Sequence, residues 1–236
     1  WFLPFAIVAG NTFVLKPSEQ VPLSQRKMVD LLQQCDLPPG VVNLVNGGRE
    51  VVDALCDHPG IRAVSFVGST AVAKHVYQRA THAGKRVQAL GGAKNFIVVM
   101  PDADLDRAMP IITESFYGCA GERCLAGSVL LPVGESHAEV RDRLVAAAEA
   151  MTVGDGLEPG VDMGPVISAR HRDKVLGYVE RGVAEGARLV ADGRKRKLPA
   201  QGFFVGPTVF DQVSASMSIG HEEIFGPVAT VAPVRD

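Results

Sequence analysis

The sequence predicts an α/β protein, a doubly wound, mostly parallel sheet followed by a second α/β domain. Two observations carry this. Short apolar runs bounded by Gly and Pro alternate with longer segments of helical period, the pattern of repeated β-α-β units. The Gly91-Gly92 pair then divides the chain into 1–92 and 93–236, each long enough for its own core.

Thr12-Phe13-Val14-Leu15 reads as the first strand and Lys16-Pro17-Ser18-Glu19 as its exit turn. A helix follows over about 22–36, with Met28, Leu31, Leu32 and Cys35 on one expected buried face. Leu37-Pro38-Pro39-Gly40 breaks it, and Val41 to Val45 is the next strand. A helix over about 49–58 places Cys56 in packing and ends at Pro59-Gly60. A strand over 62–67, the turn Gly68-Ser69-Thr70 and a helix over 71–83 complete this half. Beyond Gly92 the sequence predicts a strand at 96–100, a helix at about 104–118, a cysteine-bearing loop and a strand at 127–132. Ser136-His137-Ala138-Glu139 fits a capping box for a helix with Val140, Leu144, Ala148 and Met151 on one face. A Gly/Pro-rich loop at 154–165, a helix at about 168–186 and strands near 187–191, 203–210 and 228–233 finish the pattern.

Composition narrows the function classes. Hydrophobic residues make up 47% and charged residues 21%, with a net charge of −2, which gives no reason to expect a nucleic-acid partner. The run Arg194-Lys195-Arg196-Lys197 reads as a solvated loop. Cys35, Cys56, Cys119 and Cys124 form no C-x-x-C pair and have no histidine at ligand spacing, which argues against structural zinc. Nothing suggests a disulfide scaffold, so a reducing compartment is expected: cytoplasmic, or the mitochondrial matrix in a eukaryote. No apolar stretch reaches 18 residues and no signal-peptide pattern is visible, so no membrane partner is expected. The sequence opens within the apolar run Trp1 to Gly10 without an initiator Met and stops at Val234-Arg235-Asp236, which reads as a segment of a longer protein.

The most informative segment is Phe116-Tyr117-Gly118-Cys119-Ala120-Gly121-Glu122-Arg123-Cys124. A cysteine attacks carbon only as thiolate, and at an ordinary pKa of about 8.5 it needs electropositive surroundings. Cys124 follows the Gly121 break, beside Arg123, where a tight loop would aim backbone N–H groups at sulfur. Cys119, within the helical run, is expected to be buried on its apolar face. Gly68-Ser69-Thr70 lies where a strand gives way to a helix, the place where phosphates bind and where ordinary N-caps also sit. Lys16 and Glu19, at the C-terminal end of a strand, form either a ribose site or a solvated charge pair.

Together, Lys16-Pro17-Ser18-Glu19, Phe66-Val67-Gly68-Ser69-Thr70, Gly91-Gly92-Ala93-Lys94-Asn95, Gly121-Glu122-Arg123-Cys124 and Glu222-Glu223-Ile224-Phe225-Gly226-Pro227 resemble the aldehyde dehydrogenase superfamily, in its order and near its spacings. The resemblance implies that residues 1–92 are part of an NAD-binding domain and 93–236 most of a catalytic domain. It implies that Cys124 attacks a small-molecule aldehyde to give a thiohemiacetal, which passes hydride to nicotinamide and leaves a thioester. Lys16 and Glu19 match positions that hold the adenosine ribose, Gly68 and Ser69 the turn under the pyrophosphate, and Glu223 and Phe225 the residues that position the nicotinamide ribose and ring. The family's oxyanion-hole asparagine would lie upstream of Trp1 and its oligomerising tail beyond Asp236, so the full-length protein is expected to be a homo-oligomer.

One departure from the family pattern bears on mechanism. Where hydrolytic members carry a glutamate in a Glu-Leu-Gly-Gly-Lys motif, this chain reads Gln88-Ala89-Leu90-Gly91-Gly92-Ala93-Lys94. The glutamate's place falls to Leu90 or Ala89, and no Asp or Glu occurs between Asp57 and Asp102. A thioester not cleared by water is open to coenzyme A, and the pattern looks like the CoA-acylating methylmalonate-semialdehyde dehydrogenase branch. Arg123 either steers a substrate carboxylate or makes a surface ion pair. A hydrolytic enzyme with a base from elsewhere, and a non-catalytic dinucleotide-binding protein with Cys124 as a relic, are the alternatives.

Overall fold

The computed structural model describes residues 1–235, which divide into a first unit, Trp1–Gly92, and a second that begins at Ala93. The first contains α1 (Leu3–Val8), β1 (Phe13–Leu15), α2 (Pro22–Leu32), β2 (Val42–Leu44), α3 (Arg49–Asp57), β3 (Ala63–Val67), α4 (Thr70–His82) and β4 (Arg86–Leu90). β1 pairs in parallel with β2, Phe13 opposite Val42, and β3 in parallel with β4, Ala63 opposite Arg86. Cys56, Val76 and Ala80 form a small core with Val52, Val64, Phe66 and Val87 packed on it. Arg79 of α4 binds both carboxylate oxygens of Asp57 on α3 at 2.9 and 2.7 Å, and His75 reaches Asp53 at 2.7 Å. These pairs fix α4 against α3.

The structure corrects two readings in this unit. α2 stops at Leu32, so Cys35 lies beyond the helix and is exposed rather than in the core. The inner face of α2 carries Pro22, Gln25, Val29 and Leu32, while Met28 and Leu31 are exposed. Both sets obey helical spacing, and periodicity alone does not choose between them. The sequence reading also missed α1 and β4. In β4, charged Arg86 and polar Gln88 alternate with Val87 and Ala89, a half-buried pattern five residues long.

The second unit contains β5 (Phe96–Val99), α5 (Leu105–Tyr117), β6 (Val129–Pro132), α6 (His137–Ala150), α7 (Ala169–Ala184), β7 (Arg188–Ala191), β8 (Thr208–Asp211), α8 (Ser218–His221) and β9 (Val228–Val231). Its sheet runs β5-β6-β9-β8-β7, parallel except for the antiparallel β7–β8 pair. Every residue of β8 and β9 is buried, as in central strands with both faces covered. Their threonines are satisfied: the Thr230 hydroxyl donates to Ser128 O at 2.8 Å and the Thr208 hydroxyl accepts from Gly193 N–H at 3.2 Å. Phe116, Tyr117, Leu130, Leu144, Val179, Phe210 and Ile219 are among the fully buried side chains of the main core.

Helix ends are fixed by specific side chains. Asp104 caps α5 by accepting from Arg107 N–H at 3.2 Å, and the Ser168 hydroxyl caps α7 by accepting from His171 N–H at 3.2 Å. The expected capping box at Ser136 does not form. A short 3₁₀ turn, Gly134–Ser136, runs into α6, so Ser136 is already helical (φ −66°, ψ −16°) and its hydroxyl donates backwards to Val133 O at 2.8 Å. The face of α6 carrying Val140, Leu144, Ala148 and Met151 is buried. Arg196 is not solvated as the basic run suggested. Its guanidinium donates to the free carbonyls at the end of α6, Ala148 at 2.8 Å, Glu149 at 3.1 Å and Met151.

At the other end of α6, His137 Nε2 lies 2.7 Å from Oδ1 of fully buried Asp211, whose Oδ2 is 3.5 Å from Arg141. Burial pushes this carboxyl up, but the bonds from His137 and Gln212 N–H and the charges of His137 and Arg141 outweigh it, leaving a pKa below the usual range. A carboxyl with a lowered folded pKa contributes stability that is complete above its unfolded value, about 3.9, and is lost as pH falls through the folded value. Asp211→Asn should therefore lower unfolding free energy at pH 7 by about 2–3 kcal/mol and flatten its decline below about pH 4. Urea titrations at pH 7 and pH 3.5 measure both effects. An equal loss at the two pH values would show that the carboxylate charge contributes nothing.

Candidate active site

α5 ends at Tyr117 because Gly118 leaves helical geometry (ψ 136°). Cys119, Ala120 and Gly121 then follow in left-handed conformation, with φ of 52°, 53° and 70°. Each non-glycine residue there costs about 1–2 kcal/mol, so the surroundings must hold the loop. Tyr117 and Ala120 are buried, and the Tyr117 hydroxyl donates to Thr208 O at 3.2 Å. Gly121 lies directly on the Gly226 backbone: a Cβ there would stand 2.3 Å from Gly226 O, so only glycine fits both its φ and this contact. Cys119 is thereby turned outward and is exposed, contrary to the expectation that an apolar helix face buries it. The helix ends two residues too early for that.

Cys124 is half-buried. The Asn95 side-chain amide donates to Cys124 O at 2.9 Å and to Ala126 O at 2.8 Å, while Asn95 O accepts from Ser128 and Val129 N–H. One side chain thus fixes the carbonyls on both sides of Leu125 and joins them to the start of β6. Gly127 N–H donates to Ser115 Oγ at 3.0 Å, tying the loop back to α5. Among the described residues the Cys124 N–H donates to no acceptor, which leaves it available to a ligand oxygen. Arg123 is partly committed: its Nη2 donates to Glu114 O at 2.6 Å and lies 3.5 Å from Glu114 Oε1.

A shallow pocket brings Cys124, Arg123, Lys94, Glu223 and Phe225 together. Lys94 Nζ donates to Glu222 O at 2.8 Å; burial lowers its pKa to about 8 against the opposing pull of Glu223 and Glu222. Glu223 Oε1 accepts from Ala93 N–H at 3.4 Å. Glu222 points elsewhere, accepting the Tyr178 hydroxyl at 2.7 Å. Phe225 has φ 62°, and its carbonyl accepts from His171 Nε2 at 2.5 Å. The sequence marks no role for Asn95, Lys94, Glu122 or His171, because their partners are distant in sequence: backbone carbonyls for Asn95, Lys94 and His171, and the Ile167 N–H and His171 ring for Glu122. Among the described residues no group of three or more His, Cys, Asp or Glu could hold a metal ion, and no helix is long and apolar enough to cross a membrane.

The remaining expected site residues lie in the first unit. Lys16, half-buried at the end of β1, donates to Gly47 O at 2.8 Å and pairs with Glu19 at 3.3 Å. The Glu19 backbone amide and then the Lys16 ammonium hold the Glu19 carboxyl below its usual pKa. Gly68 and Ser69 stand exposed between β3 and α4. The Gly68 N–H is spent on Leu90 O at 3.1 Å, so Gly68 offers absence of bulk rather than a donor. Ser69 occupies the N-cap position, yet its hydroxyl caps nothing.

This fold and this loop define a class, and comparison agrees with it. The aldehyde dehydrogenase family matches residues 1–236, and the chain belongs to that family. It is 50% identical over 235 residues to a malonate-semialdehyde dehydrogenase of Halalkalibacterium halodurans, covering 100% of this chain and 48% of the relative. It is 51% identical over 237 residues to malonate-semialdehyde dehydrogenase 1 of Geobacillus kaustophilus, again covering 100% and 48%. The crystal structure of methylmalonate-semialdehyde dehydrogenase from Oceanimonas doudoroffii superposes with a TM-score of 0.94 at 47% identity, over 99% of this chain and 49% of that one. A Sinorhizobium meliloti protein described as a methylmalonate-semialdehyde dehydrogenase and solved with NAD gives 0.94 at 44% identity, over 99% and 48%. The chain spans about half the length of the curated relatives it matches.

Proposed function

We propose that the full-length protein oxidises malonate semialdehyde or methylmalonate semialdehyde with NAD, through a thioester on Cys124, and transfers the acyl group to coenzyme A. The observation that carries this reading is the Cys124 loop, its carbonyl fixed by Asn95, its N–H free, in one pocket with Glu223 and Phe225. The half-identical relatives named for these semialdehydes support the substrate class.

The Cys124 thiolate forms a C–S bond to the aldehyde carbon while the Cys124 N–H donates to the developing oxyanion. Bound NAD supplies a hydride acceptor. Glu223 would accept hydrogen bonds from the ribose hydroxyls of bound NAD, and Phe225 would pack against its nicotinamide. Coenzyme A thiolate then attacks the thioester carbonyl, releasing acyl-CoA and the Cys124 thiolate. Arg123, partly committed to Glu114, is the cation offered to the substrate's carboxylate. With semialdehyde, NAD and coenzyme A, acyl-CoA and NADH should form one to one. Free acid in place of acyl-CoA would assign the protein to the hydrolytic reading. Homo-oligomerisation and a cytoplasmic location, or a matrix one in a eukaryote, belong to the same proposal.

The first-unit residues fit a dinucleotide. Exposed Glu19, steadied by Lys16, can accept from both ribose hydroxyls, and the unengaged Ser69 hydroxyl at the start of α4 can donate to a phosphate. A 2′-phosphate beside Glu19 would bring like charges together, softened by Lys16. NAD should therefore bind about tenfold more tightly than NADP, and Glu19→Gln should narrow that ratio. Tighter binding of NADP in a fluorescence titration would contradict the assignment of Glu19.

A further inference from the structure

His171 stands in the first turn of α7, its backbone N–H capped by the Ser168 hydroxyl, so its ring is presented from a fixed helix start. Nε2 lies 2.5 Å from Phe225 O and 3.3 Å from Glu122 Oε1. A carbonyl oxygen only accepts, so Nε2 carries a proton and donates. The His171 and Phe225 rings meet edge to face, centroids 6.1 Å apart at 78°. Glu122 Oε1 also accepts from Ile167 N–H at 3.3 Å, and both side chains are about 85% buried, with relative exposures of 15% and 14%. Glu122 follows Gly121, whose backbone lies on Gly226, and precedes Cys124 by two residues. A single imidazole therefore joins the cysteine loop, the Glu222–Pro227 turn and α7. The bond to Phe225 O also fixes a peptide plane that a left-handed, bulky residue would not keep unaided.

We propose that His171 and Glu122 are positioning residues for acylation: together they lock the Phe225 carbonyl, and through it set Phe225 against Cys124. The inference rests on the roles given above to Cys124 and Phe225. Neither His171 nor Glu122 touches the reacting atoms. A link that served stability alone would lower the unfolding temperature and leave the chemistry of the folded enzyme unchanged.

The test uses single-turnover NADH formation by the full-length protein at saturating NAD, across a range of aldehyde concentrations. His171→Leu should slow the acylation rate about tenfold to a hundredfold, the scale of a small misplacement of reacting groups, with the aldehyde KM changed by less than about threefold. His171→Gln, which can still donate to Phe225 O, should recover to within about threefold of the parent. Glu122→Ala should also slow acylation. Combined with His171→Leu, it should add less than its separate effect, because both act through one link. A His171→Leu enzyme acylating within about twofold of the parent, a glutamine variant no better than leucine, or full additivity would each overturn the proposal. If His171→Leu does not fold, Glu122→Ala and His171→Gln carry the test against the same thresholds. Cys124→Ser is the control: an active serine variant would sink the underlying assignment, whereas an inactive one beside an unaffected His171→Leu removes only the positioning role.

Discussion

Replacing Cys124 by serine in the full-length protein should lower aldehyde-dependent NADH formation at least about a thousandfold, whereas Cys119→Ala should leave it within about threefold. The contrast rests on geometry. Asn95 holds the Cys124 carbonyl, and the cysteine lies in the pocket with Glu223 and Phe225, while Cys119 is exposed on the outer side of the loop. Cys119→Gly should stabilise the protein by about 1 kcal/mol, because glycine adopts φ 52° without the Cβ penalty. Equal losses in Cys124→Ser and Cys119→Ala would refute the nucleophile assignment. Cys35 and Cys119 are both exposed, so total thiol labelling says little. Iodoacetamide mapping by peptide is needed, and a Cys124 that stays unlabelled while those two react would favour a non-catalytic dinucleotide-binding protein.

The same loop shows what a sequence can and cannot reveal. The β-α-β alternation and the buried face of α6 follow from local periodicity, because a strand or helix must bury one face whatever surrounds it. The position of Cys124 after Gly121 was legible for a similar reason: glycine marks where the backbone turns. What stayed hidden depends on contacts across long sequence separation. Asn95 acts on carbonyls 29 and 31 residues away, and His171 on a carbonyl 54 away, and no local pattern marks such partners. The inner face of α2 was misassigned because two sets of residues share the helical period and only packing selects Val29 over Met28. Cys119 faces outward because α5 stops before Gly118 and a left-handed turn follows, flanked by the buried Tyr117 and Ala120, and no helical period extends through such a turn.

With semialdehyde and NAD alone, the full-length protein should release a burst of about one NADH per active site and then turn over slowly, and adding coenzyme A should restore steady turnover. The reason lies in positions 88–94, which carry no carboxylate: Leu90 ends β4 and Ala89 precedes it, and neither can take a proton from water. A general base typically contributes about 10²–10⁴-fold, so without one the Cys124 thioester should outlast attack by water. A thiolate is the stronger nucleophile and needs no base at the moment of attack. Leu90→Glu should accordingly raise turnover without coenzyme A by about tenfold or more, if the register set by Lys94 is the functional one. Ala89→Glu is the matching variant for the register set by Leu90-Gly91-Gly92. Gain in one variant and not the other would identify the position from which a base reaches the thioester. Fast steady NADH production by the parent protein without coenzyme A, with free acid as product, would mean that another group activates water and that this chain belongs with hydrolytic enzymes.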